Sequence, residues 1–122
     1  MSTDPAPVRT LPAPPPKPAP TIHEAERASG ASGAVLRGVE IDFTAAVVRR
    51  RAGEDVVVCG SDLDANRRLA YKIESGVGPA SRPQTPHRRA GPLSLPHFHQ
   101  VTRSPDGHTF YETENRKTRK KP

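Results

Sequence analysis

The chain has no tryptophan and only five other aromatic residues among 122, so Phe43, Phe98, Phe110, Tyr71 and Tyr111 each carry weight in any core. It has one cysteine, Cys59, which excludes an internal disulfide. Cys59 follows Val56-Val57-Val58 and reads as a small buried hydrophobe rather than a nucleophile. No apolar run approaches the ~20 residues of a membrane-spanning helix. The first residues lack the basic start and apolar stretch of a signal peptide. No Gly-x-Ser-x-Gly and no Cys/His pair points to acyl transfer, and the glycines at 30–38 lack the strand–glycine–helix setting of a nucleotide loop.

Proline, by contrast, is abundant and unevenly placed. Eight of the fifteen prolines fall between Pro5 and Pro20. Proline has no N–H and a fixed φ, so this stretch predicts an extended, disordered arm that acts as a spacer. Residues 1–36 are expected to be arm and flexible joint, with at most a helical turn near Ile22–Ala28; 37–114 are expected to be one small domain; and 115–122, with five cations in eight residues, a disordered basic tail.

Within the domain, Val39, Ile41 and Phe43 alternate with Glu40 and Asp42, a strand pattern, whereas Thr44–Arg51 fits strand or helix equally. Val56–Cys59, bounded by Asp55 and Gly60, predicts a central strand. Ser61 is placed to cap a following helix, with Asp64 in its first turn, Leu63, Ala70, Ile73 and Val77 on its apolar face and Gly76 and Gly78-Pro79 to end it. A long proline-punctuated connection, Pro79–Pro96, contains His87-Arg88-Arg89. A hairpin then predicts strands near His97–Arg103 and His108–Glu112, joined by Ser104-Pro105-Asp106-Gly107. The class is α+β: a small antiparallel sheet with one or two packed helices.

Charge and imidazole are concentrated together. Residues 79–122 carry nine Lys/Arg against three Asp/Glu, the whole net charge of +6, and four of the five histidines. That combination suits a polyanion and proton transfer near neutral pH. Metal-free RNA cleavage needs a base for the 2′-OH, an acid for the 5′-oxygen and cations for the phosphate. His97 and His99 share one strand face and are the candidate acid and base, with His108 as partner. His87, Arg88, Arg89 and Arg103 are candidate phosphate ligands, and Tyr111 a candidate donor or stacking group. In one hairpin register His99 meets Glu112, and in a register slipped by one it meets Thr113. The histidine spacing matches no zinc pattern and no second cysteine exists, so neither a metal nor another cofactor is expected.

The order Asp55-Val56-Val57-Val58-Cys59-Gly60, Asp64-Ala65-Asn66-Arg67, Ala90-Gly91-Pro92, Leu95-Pro96-His97-Phe98-His99 and Gly107-His108-Thr109-Phe110-Tyr111 resembles the C-terminal toxin domains of bacterial polymorphic, Rhs-type toxins. Many of these are small ribonucleases of the barnase–EndoU–colicin–RelE group. The resemblance implies a metal-independent endoribonuclease with His97, His99 and His108 on its active face. It further implies a delivered effector acting in the cytoplasm of a target cell, an acidic immunity protein, and a larger carrier or secretion machinery reached through the proline arm. Two rival expectations follow from the same cations: a non-catalytic module that binds RNA or acidic protein, and a metal-dependent deoxyribonuclease.

Overall fold

The structure, a computed structural model, describes residues 18–28, 32–85 and 93–120. Its elements run β1 (Thr21–Arg27), β2 (Val35–Ile41), α1 (Phe43–Arg51), β3 (Val56–Cys59), α2 (Leu63–Val77), β4 (His97–Phe98), β5 (Thr109–Tyr111) and β6 (Arg119–Lys120). The strands form one sheet in the order β4-β5-β3-β1-β2-β6. Most pairings are antiparallel; β3 with β5 and β2 with β6 are parallel. The fold is α+β, and no helix among the described residues is long and apolar enough to cross a membrane.

The sheet has two unlike faces. Both helices pack on one, where Ala46 and Val47 of α1 and Ala70 and Ile73 of α2 meet Ile22, Val56, Val58, Phe98 and Tyr111. The opposite face carries a smaller cluster with no helical residue: Ala25, Val35, Val57, Cys59, Leu95 and Phe110. Every residue of β3 is buried, which is what a central strand covered on both faces requires.

The helices form where their caps allow. Asp42 caps α1 by accepting from Ala45 N at 2.8 Å, which settles Thr44–Arg51 as helix. Asp62 caps α2, accepting from Ala65 N at 3.2 Å; the cap falls one residue beyond Ser61, where it was expected. Arg49, Arg50 and Arg51 in the last turn of α1 complement its dipole.

Four expectations are corrected. Residues 21–27 are neither arm nor helical turn but β1, an interior strand paired with both β2 and β3; the folded unit therefore starts well before residue 37. Sheet pairing overrides the weak local helical preference there. The strand over Val39–Phe43 is displaced: β2 spans Val35–Ile41, Val39 is exposed, and Phe43 opens α1. The tail is not wholly detached, since Arg119 and Lys120 pair with Leu36 and Arg37. The hairpin exists, but in neither expected register. His97 lies opposite Phe110 and Phe98 opposite Thr109, so β4 is only two residues long and the connection runs from 99 to 108. Beyond Phe98 the ladder ends, residues 101 and 102 form a turn and Arg103 takes φ +64°. The arm at residues 1–17, and His87, Arg88 and Arg89, lie outside the described residues.

Candidate active site

The helix-free face of the sheet gathers three imidazoles. Alternation places His97 and His99 on that side of β4, and His108 on the same side as Phe110 in β5. The ring centroids of His97 and His108 are 4.3 Å apart, and His99 lies 6.2 Å from His97 and 6.3 Å from His108. Phe110 is their apolar floor, 5.6 Å from His97 and 5.4 Å from His108. His97 is buried; His99 and His108 are half-buried and reach solvent.

A cation completes the group. Arg27, at the end of β1, lays its guanidinium 5.8 Å over the Phe110 ring and donates from Nη2 to His108 Nδ1. Its Nε donates to Asp55 Oδ2 at 3.2 Å, while Asp55 Oδ1 accepts from His108 N at 2.8 Å. Asp55 thus ties β1 to the start of β5.

Protonation follows from these contacts. Burial, then the neighbouring His97 and the Arg27 guanidinium, push His108 down to about 3, so its ring is neutral at physiological pH. The 3.8 Å approach of its Nδ1 to Asp55 is therefore not an ion pair. Since Nδ1 accepts from Arg27, the proton sits on Nε2, and His108 is a neutral donor. The other two imidazoles are oriented the opposite way. His99 Nδ1 donates to the Gln100 carbonyl at 2.7 Å, and His97 Nδ1 to the Leu95 carbonyl at 3.3 Å. Carbonyls only accept, so Nδ1 is the donating nitrogen of both rings.

Beneath the sheet a buried polar network fixes the loop between His99 and His108. Arg50 and Glu74 are both fully buried and pair at 3.0 and 3.2 Å. The Glu74 carboxylate also accepts from Thr109 Oγ1 at 3.0 Å and from Gln100 Nε2. The Arg50 guanidinium donates to the carbonyls of Asp106 at 2.8 Å and Gly107 at 3.2 Å. Both ends of the 100–109 segment, each next to a site histidine, are thereby held to one ion pair. Gly107 has φ +98°, and a Cβ there would stand 2.6 Å from Arg50 Nη1 and 2.9 Å from the Gly53 carbonyl, so only glycine fits.

Sequence reasoning missed Arg27, Asp55, Arg50 and Glu74. A signal existed for the last two: Glu74 sits at helical spacing from Ala70 and Val77, and Arg50 from Ala46 and Val47. Opposite charges on two apolar stripes mark a buried pair. Nothing local marks Arg27 or Asp55.

Other expected site residues lie elsewhere. Tyr111 faces the helices, its ring 5.6 Å from Phe98, and burial pushes its hydroxyl up. Glu112 does not meet His99; it is buried and accepts from Thr118 N at 2.7 Å and Thr118 Oγ1 at 2.8 Å, anchoring the tail. Arg103 is exposed at the turn. Cys59 is buried, and desolvation lifts its thiol to about 11, which keeps it unreactive. Among the described residues no group of three or more His, Cys, Asp or Glu is arranged to hold a metal ion. In comparisons, no family model, no curated protein and no solved structure matches the chain.

Proposed function

We propose that the helix-free face is the active face of a metal-independent endoribonuclease. The convergence of His97, His99 and His108 with Arg27 over Phe110 carries this reading. The 2′-oxygen of RNA attacks the adjacent phosphorus, the P–O5′ bond breaks, and the products are a 2′,3′-cyclic phosphate and a 5′-hydroxyl. One of the His97 and His99 imidazoles accepts the 2′-OH proton, and the other delivers one to the departing 5′-oxygen. Arg27 and the neutral His108 Nε2–H act as donors to the phosphoryl oxygens as charge builds there. His108 does not exchange protons in this scheme, because its basic nitrogen is engaged by Arg27.

With the resemblance to polymorphic toxin domains, this chemistry supports a toxin module delivered to a target-cell cytoplasm, attached to a larger carrier or secretion machinery. Its antidote is an acidic immunity protein that covers the cationic face. The burial of His97, one of the two proton-transfer groups, favours a second reading, in which the same face binds RNA without cutting it.

Incubation with total RNA in EDTA separates these readings. The expected result is cleavage that persists in EDTA, yields cyclic-phosphate ends and is lost in His99→Gln. Binding without cleavage would sink the enzymatic reading in favour of the module. Activity that appears only with added divalent metal would do so in favour of metal-dependent cleavage.

A further inference from the structure

A second surface has the chemistry of a ligand site, on the other side of the sheet from the histidines. The outer side of α2 and the Pro83 segment enclose a groove of about 300 Å³ lined by Arg67, Arg68, Tyr71, Lys72, Pro83 and Phe98. None of its lining residues is acidic. Asp64 pairs with Arg67 at 3.0 Å and Arg68 at 3.5 Å, one carboxylate against the three cations of the lining. Tyr71 is half exposed although its ring packs edge-on against the buried Phe98 at 5.5 Å. Phe98 thus holds the Tyr71 ring at the floor of the groove, with cations on its own turn and the turn before.

A second groove of about 280 Å³ shares Pro83 in its lining and adds Gln84, Tyr111 and Arg116, so the two grooves adjoin at Pro83. Pro83-Gln84 runs beside the outer edge of β4, where Gln84 N donates to the His97 carbonyl at 2.8 Å. The trough therefore follows the strand that presents His97 to the opposite face.

We propose that this trough binds single-stranded polynucleotide, with a base stacked on Tyr71 and phosphates held by Arg67, Arg68 and Lys72. An aromatic platform set among cations, open along its length and without sequence-reading acids, is the arrangement that takes single strands. An acidic peptide would use the cations but gains little from the ring. The site adds a substrate subsite to the ribonuclease reading, yet it stands or falls separately, since it requires no cleavage.

The test uses the full chain and a labelled 16-mer of 2′-O-methyluridine, which lacks the attacking hydroxyl and cannot be cut. Tyr71→Ala should weaken binding roughly tenfold or more, and Tyr71→Phe should bind like the parent. Lys72→Gln should reduce the slope of log K against log salt by about 0.7, whereas Tyr71→Ala should leave that slope unchanged. Equal affinity of Tyr71→Ala and parent overturns the proposal. So does displacement of the oligomer by polyglutamate as readily as by unlabelled oligomer, which would assign the trough to acidic protein. Tyr71-dependent binding by a chain that cleaves no RNA would uphold the trough and discard the enzyme; cleavage with Tyr71-independent binding would do the reverse.

Discussion

Two arginines stand in opposite settings, one in the scaffold and one at the candidate site. Arg50 is fully buried, and its donors are taken by Glu74 and by the backbone carbonyls of Glu54, Asp106 and Gly107. Arg27 is more than half exposed and shares its charge among Asp55, the neutral His108 and the Phe110 ring. A guanidinium out of water is tolerated only with every donor engaged, and it then has nothing left for a substrate. A guanidinium at the surface contributes little to stability but can turn toward a phosphate. The first fixes where the loop of residues 100–109 sits; the second faces what that loop presents.

This contrast predicts opposite responses to mutation. Glu74→Ala leaves a buried cation unpaired and should cost about 3–5 kcal/mol, read by urea denaturation. A loss below about 1 kcal/mol would show that water or another group replaces the carboxylate and would undo the assignment of Arg50 as scaffold. Gly107→Ala should cost about 2–3 kcal/mol, from positive φ and overpacking against Arg50; a neutral result would mean the loop is free to move.

Titration sharpens the comparison from the histidine side. The folded pKa of His108 lies near 3, below its ordinary value of 6.5. Between those values the unfolded chain binds the extra proton, so stability rises with pH. The contribution is whole above pH 6.5 and is lost progressively as pH falls toward 3. On acidification from pH 7 to 4, the parent should therefore lose about 3 kcal/mol more than His108→Gln. Parallel loss in both proteins would place the charge on His108 in the fold. The smallest stability effect belongs to Arg27→Ala, within about 1 kcal/mol of the parent. RNA cleavage should nonetheless fall roughly 100-fold, the usual loss for a donor to developing charge. Unchanged cleavage would leave Arg27 with no role at the site.

The parts of this arrangement differ in how far they can be read along the chain. Val56–Cys59 is legible as a central strand because four apolar residues between Asp55 and Gly60 have no polar side to expose. The span of α2 is legible from its apolar stripe and its glycines. The gathering of His97, His99 and His108 follows partly from strand alternation and a turn ending in Gly107. The register between their strands does not, since it depends on where the ladder breaks. The ladder ends after Phe98, and Gln100 two residues on turns its side chain inward to Glu74, a residue in a different element. Thr21–Arg27 has no strong strand pattern; it becomes a strand because β2 and β3 offer backbone partners on both sides.

The order of residues alone set the class of the fold, the central strand, the long helix and the pairing of imidazole with positive charge, because each rests on neighbours a few positions apart whose spacing decides which face they share. Only the folded chain decided that Arg27 and Asp55 would stand with His108, that Tyr111 and Glu112 would not, and that Arg50 and Glu74 would meet in the interior. Those contacts join segments dozens of residues apart, and their energies exist only once the sheet is closed and water excluded.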